Sequence, residues 1–211
     1  MGKASFLRDG DILVFQGDSI TDTGRDDTAD GLGGGYVSLI RGWLQAWYPE
    51  VKYRLFNRGV GGDRTVELLA RWKPDCLDLR PTVLSIMVGV NDVWRLRDEW
   101  NGQTFVPQSL FEENYRRLLD EAGPVDRLVL MSPTVIENEQ DPELTAHLDE
   151  RAAFVQALAQ EVGAVYVPAR EALKRALRES PGVEWTLDGC HPTPAGHALL
   201  ASVWLGAVGL Q

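Results

Sequence analysis

Ile12-Leu13-Val14-Phe15-Gln16-Gly17-Asp18-Ser19-Ile20-Thr21-Asp22 is the stretch that decides how this chain folds. A short apolar run stops at a glycine, and a serine between acidic residues follows at once. A run of this length bounded by turn residues predicts a strand buried on both faces, which is the habit of parallel sheets covered by helices. Outward from it, residues 53–56, 82–88, 127–131 and 164–167 are further strand candidates. Helical patterns lie between them. In 36–47, Val37, Ile40, Trp43, Leu44 and Trp47 recur at spacings of three and four and so share one helical face. Residues 64–72, 110–121, 144–162, 169–177 and 194–208 are predicted helices on similar grounds, the last with Thr193 as cap and Pro194 in the first turn. Alternating strands and helices predict an α/β protein: a three-layer α/β/α sandwich around a five-stranded parallel sheet, with right-handed crossovers. In such sheets ligands bind beyond the carboxyl ends of the strands.

The chain has 211 residues, of which 44% are hydrophobic and 25% charged, a composition that suits one globular domain over residues 1–211. A net charge of −10 argues against nucleic acid and anionic membrane as partners, since both need clustered Lys and Arg. Cys76 and Cys190 allow one disulfide at most and are expected to be small buried residues. The start MGKASFLRDGD meets charge before any apolar run of signal-peptide length, and no stretch approaches a membrane span of about 20 residues. Its MGKASF matches a loose myristoylation pattern that arises often by chance. The expectation is a cytoplasmic enzyme. Segment 137–143, ENEQDPE, is a polar loop that either lines a cleft or faces water.

Ser19 falls just past the first strand, where a nucleophile belongs, although a lone serine there is ordinarily a turn or cap residue. Its candidate partners stand far along the chain. Asp188-Gly189-Cys190-His191 reads as loop, and an aspartate three residues from a histidine can fix the imidazole's tautomer while the imidazole takes a serine proton. Donors for an oxyanion follow the second and third strands: Asn57-Arg-Gly-Val-Gly-Gly62, whose glycines permit a sharp turn, and Gly89-Val-Asn91-Asp92, whose amide can donate. Only three histidines occur and no His-rich or Cys-rich ligand spacing accompanies them, which argues against a metal, and acyl transfer through a serine requires no metal or organic cofactor.

The segments GDSIT, GVGGDRT, VGVND and DGCHP, in this order, resemble the four sequence blocks of the SGNH (GDSL-type) hydrolases, and together they span most of the chain. The resemblance implies a flavodoxin-like SGNH hydrolase fold. It also implies Ser19 as nucleophile and first oxyanion N–H, Gly62 as second donor, Asn91 as third, His191 as base and Asp188 as its orienting acid. Block one reads GDSI rather than GDSL, and block three GVND where many members have GGND; no residue with an assigned role changes. Within the family, ITDTGR, GGGYV, SIMVGVNDVWR and EQDPE are similar to a branch of intracellular acetylxylan esterases acting on short acetylated xylo-oligosaccharides. That branch tends to assemble, which implies a homo-oligomer.

The implied activity is removal of acetyl groups from a small acetylated carbohydrate through an acetyl-enzyme. Of the seven tryptophans, Trp94, Trp100 and Trp185 fall at the expected rim, where an indole can stack on a sugar; Trp43, Trp47, Trp72 and Trp204 are expected in the core. Asp18, Arg58, Trp94 and Trp185 are the candidate substrate contacts, and Arg64 and Arg95 either bond hydroxyls or offset the surplus acid. Three rivals stand beside this reading: a thioesterase or lysophospholipase with a fatty-acyl groove, a carbohydrate-binding module without catalysis, and a metal-dependent phosphoesterase using Asp18 and Asp22.

Overall fold

The first strand, β1 (Asp11–Gly17), is buried at every position but Ile12, because both of its faces are covered. The computed structural model describes residues 6–97, 100–134, 136 and 141–210. After β1 come α1 (Ser19–Asp22), α2 (Tyr36–Trp47), β2 (Tyr53–Gly59), α3 (Thr65–Ala70), α4 (Trp72–Asp75), β3 (Val83–Met87), α5 (Val90–Trp94) and α6 (Gln108–Ala122). The order continues with β4 (Arg127–Met131), α7 (Pro142–Val162), β5 (Val165–Val167), α8 (Ala169–Glu179) and α9 (Pro194–Ala207). The strands form one five-stranded sheet in the order β2-β1-β3-β4-β5, and all its pairings are parallel.

Side-chain alternation divides the core in two. Leu13, Phe15, Val83, Met87, Val129 and Val167 pack with residues of α2, α8 and α9 on one face. Val14, Leu84, Ile86 and Leu130 meet α3, α4, α6 and the second half of α7 on the other. The result is the expected α/β/α sandwich. The Trp204 indole N–H donates to Ser85 Oγ at 3.1 Å, so the large ring at the sheet is buried without losing its polar partner.

Two local expectations are corrected. Residues 64–72 do not form one helix; the chain breaks at Arg71 between α3 and α4. Pro74 has no N–H to offer the Ala70 carbonyl, so a continuous helix would lose a bond there. Trp47 is 68% exposed, unlike the fully covered Trp72 and Trp204. Helical spacing assigns a residue to a face but not whether the core extends under the last turn. Cys76 and Cys190 are both free and buried, as expected. Among the described residues no helix is long and apolar enough to cross a membrane. Residues 1–5 and 137–140, which carry the start pattern and most of the polar loop, lie outside the described residues.

Candidate active site

Between β1 and β3 the strand order reverses, and the carboxyl ends of these two strands open a crevice at that switch point. Ser19 stands there as the first residue of α1. The Asp18 carboxylate caps the helix by accepting from the Ile20 N–H at 3.0 Å, and Thr23 ends it in the left-handed region at φ 43°. Asn57, near the end of β2, ties this turn to the sheet: its amide N–H groups donate to the carbonyls of Thr21 at 2.6 Å and Leu32 at 2.9 Å, while its oxygen accepts from the Gly59 N–H at 2.9 Å. Arg71, set free by the helix break, spans the strand ends. Its guanidinium donates to the Gly17 carbonyl at 3.0 Å, the Arg58 carbonyl at 2.7 Å and the Asp63 carboxylate at 2.6 Å. Neither Asn57 nor Arg71 stands out in the sequence, because each acts through main-chain carbonyls that only the fold assembles.

The partner loop arrives from the far end of the chain. Thr186 and Pro192 pair as an isolated antiparallel bridge, and the Leu187 N–H donates to the His191 carbonyl at 2.7 Å. Within this loop Asp188 Oδ1 accepts from the Cys190 and His191 N–H groups at 3.0 and 2.8 Å, which aims Oδ2 at His191 Nδ1, 2.7 Å away. His191 Nε2 then lies 2.9 Å from Ser19 Oγ. Burial alone would raise the Asp188 pKa; the hydrogen bonds and charge of His191 outweigh it and hold the carboxyl below its ordinary value. Thr193 caps α9 through the Gly196 N–H, with Pro194 in the first turn, so the helix start fixes the loop's exit.

Two further candidate donors follow β2 and β3. Gly62 sits at φ +82°, a conformation that favours glycine, in the turn after β2. Asn91 does not lie in a loop, as its sequence context suggests, but in the first turn of α5. There its Nδ2 donates to the Asp63 carbonyl at 3.1 Å and its Oδ1 accepts from Arg95 Nη2 at 3.2 Å. One amide hydrogen is left over. The N–H groups of Ser19 and Gly62 make no hydrogen bond to any described residue.

The candidate substrate contacts fare differently. The Trp94 ring centre lies 5.9 Å from that of His191, at the reacting end of the crevice. Arg58 lies across Phe56 at 5.8 Å, with its Nε buried and without a partner among the described residues. Trp185 turns its indole N–H to the Ser180 carbonyl at 3.2 Å. Asp18 is corrected: the residue is 2% exposed and its carboxyl serves the helix cap, so it is not placed as a substrate contact. Burial pushes its pKa up to about 7, with the Asp63 and Asp92 charges adding and the Ile20 N–H opposing. Arg64 is engaged by Glu67 at 2.5 Å and by the Thr104 carbonyl at 2.6 Å. Asp22 faces Arg25, whose N–H it accepts at 3.2 Å. With Asp18 in the cap and Asp22 so engaged, the pair does not form the metal-binding face that a phosphoesterase would need; no group of three or more His, Cys, Asp or Glu suited to a metal ion occurs among the described residues.

A serine, an imidazole and a carboxylate linked in sequence, beside outward N–H groups, define a serine hydrolase site. Residues 15–199 match the GDSL-like Lipase/Acylhydrolase family, so the chain belongs to that family and is a carboxylic ester hydrolase. It is 37% identical to an acetylxylan esterase of Geobacillus stearothermophilus over 96% of this chain and 95% of that protein. The crystal structure of that organism's acetylxylan esterase Axe2 superposes with a TM-score of 0.88 at 34% identity, covering 97% of each chain. An α/β hydrolase from the metagenome of Lake Arreo gives 0.90 at 31% identity over 98% of this chain and 99% of its own. Solved catalytic mutants of Axe2 replace a serine, an aspartate and a histidine by alanine, the last two three positions apart.

Proposed function

We propose that this protein is a one-domain serine esterase that removes acetyl groups from short acetylated xylo-oligosaccharides. The observation that carries the proposal is the chain of hydrogen bonds from Ser19 through His191 to Asp188. His191 takes the hydroxyl proton as Ser19 Oγ attacks the acetyl carbonyl. The N–H groups of Ser19 and Gly62 and the spare amide hydrogen of Asn91 receive the oxyanion, where preorganised donors favour charge that exists only in the transition state. Collapse expels the sugar hydroxyl, which takes its proton from His191, and leaves acetyl on Ser19. A water, deprotonated by His191, then attacks the ester and releases acetate. Trp94 beside His191 and Arg58 at the end of β2 are the proposed sugar contacts, with Trp185 on the loop's outer side.

The relatives' acetylxylan esterase activity supports the acetyl and xylan assignment over a fatty-acyl thioesterase or lysophospholipase, and the complete triad supports catalysis over a binding module. Location in the cytoplasm and assembly into a homo-oligomer belong to the same reading. Two free cysteines suit the first. The exposed Trp47 and Leu187 are the apolar side chains that assembly would cover. The test is acetate release from acetylated xylo-oligosaccharides followed by NMR, with Ser19→Ala as blank and an acyl-length series of aryl esters alongside. Deacetylation lost in the variant supports the proposal. Preference for long acyl chains replaces the substrate, and serine-independent turnover replaces the mechanism.

A further inference from the structure

Arg95 is 8% exposed and bonds Asn91, a proposed oxyanion donor. A buried guanidinium is costly unless its donors are used, and this one places two of its nitrogens on two different side chains. Nε donates to Gln103 Oε1 at 3.1 Å, while Nη2 donates to Asn91 Oδ1 at 3.2 Å. Two indole rings lie near it, with the guanidinium carbon 5.8 Å from the Trp94 ring centre and 5.5 Å from that of Trp100. The turn that carries Gln103 is held by its main-chain N–H, which donates to the Trp100 carbonyl at 2.9 Å. Arg95 therefore has little freedom to swing away from Asn91.

An asparagine amide can present either its oxygen or its nitrogen to a ligand, and only the nitrogen helps an oxyanion. We propose that Arg95 is a positioning residue that locks the Asn91 amide with its nitrogen toward the reacting carbonyl and polarises it by holding its oxygen. This rests on the reading of Asn91 as an oxyanion donor. With Oδ1 held by a cation and one N–H held by the Asp63 carbonyl, the remaining N–H has a single direction left. The positive charge on the oxygen also strengthens that N–H as a donor. Lysine cannot replace this arrangement, since a single ammonium does not reproduce the fixed spacing at which two guanidinium nitrogens hold Gln103 and Asn91.

The test is a double-variant cycle on kcat and KM with an aryl acetate, which needs no sugar contact. Arg95→Met keeps the apolar stem near the indoles, and Arg95→Lys keeps the charge as well. Each is expected to lower kcat by roughly 10- to 100-fold with KM changed less than about threefold, as for loss of a transition-state donor. In an Asn91→Ala background the same Arg95 substitution should cost less than about threefold, because the group it positions is gone. Thermal unfolding identifies any variant that has lost its fold, and the cycle is then carried by the other. Losses that multiply in the double variant, or near-normal kcat in both single Arg95 variants, overturn the proposal. If Asn91→Ala alone costs less than about tenfold, the oxyanion reading itself falls and takes the proposal with it.

Discussion

The ring of Trp100 fills the space that a side chain on Gly62 would need: a Cβ built on Gly62 lies 2.1 Å from Trp100 Cζ3. Gly62 also sits at φ +82°, so alanine there meets two separate penalties. Gly62→Ala should destabilise the protein by about 1–3 kcal/mol, from left-handed strain and overlap, and should lower turnover further by displacing the Gly62 N–H. Trp100→Ala in the same chain should recover the overlap but not the strain. Thermal unfolding and aryl acetate turnover on the three variants measure both; full recovery of stability in the double variant would count against the strain.

Asn91→Ala removes one proposed oxyanion donor while leaving a small residue in a buried turn. It should lower kcat by roughly 100- to 1,000-fold with KM nearly unchanged. The lost bond to the Asp63 carbonyl should show as a modest fall in unfolding temperature. A kcat loss below about tenfold would remove Asn91 from the oxyanion site.

Asp188→Asn keeps an oxygen to accept from the Cys190 and His191 N–H groups, so the loop should hold its shape. It withdraws the negative charge that steadies the imidazolium and fixes its tautomer. The expected loss in kcat is on the order of 10³- to 10⁴-fold with little change in stability. Activity within tenfold of the parent would show that His191 does not depend on Asp188.

Asp18 predicts a pH effect on folding. Its folded pKa of about 7 lies above the ordinary value of 3.8, so between these values the native state holds a proton that the unfolded chain releases. Stability from this group is therefore present at low pH and lost as pH rises through about 7. Asp92, raised by burial to about 6, titrates in the same window, so the informative quantity is a difference between two proteins. Asp18→Asn keeps a capping oxygen, and urea unfolding from pH 4.5 to 7.5 should show a shallower decline for it than for the parent. Equal slopes would place the Asp18 carboxyl in contact with water.

Much of the fold and of the site is legible in the order of residues alone. The inner strands β1 and β3 announce themselves because both faces are buried, which leaves unbroken apolar runs such as 12–15, and the candidates Ser19, Asn91, Asp188 and His191 follow short signals at strand ends or on one loop. What stays hidden depends on contacts between distant segments. Nothing in the spacing of Arg95 and Gln103 tells that their side chains meet, and nothing in residues 64–72 announces that Arg71 leaves its helix to hold the ends of β1 and β2. Asp18 misleads for the same reason: an acid beside a candidate nucleophile looks like a ligand contact until the helix it caps is seen. Trp47 shows the limit of periodicity, which cannot tell where a core stops.

Labelling by a serine-directed organophosphonate, read by mass spectrometry of the digested protein, decides whether Ser19 is the nucleophile. One adduct on Ser19, loss of turnover in step with labelling, and little labelling of His191→Ala are expected. An adduct on another residue, or turnover that survives complete labelling of Ser19, would contradict that role.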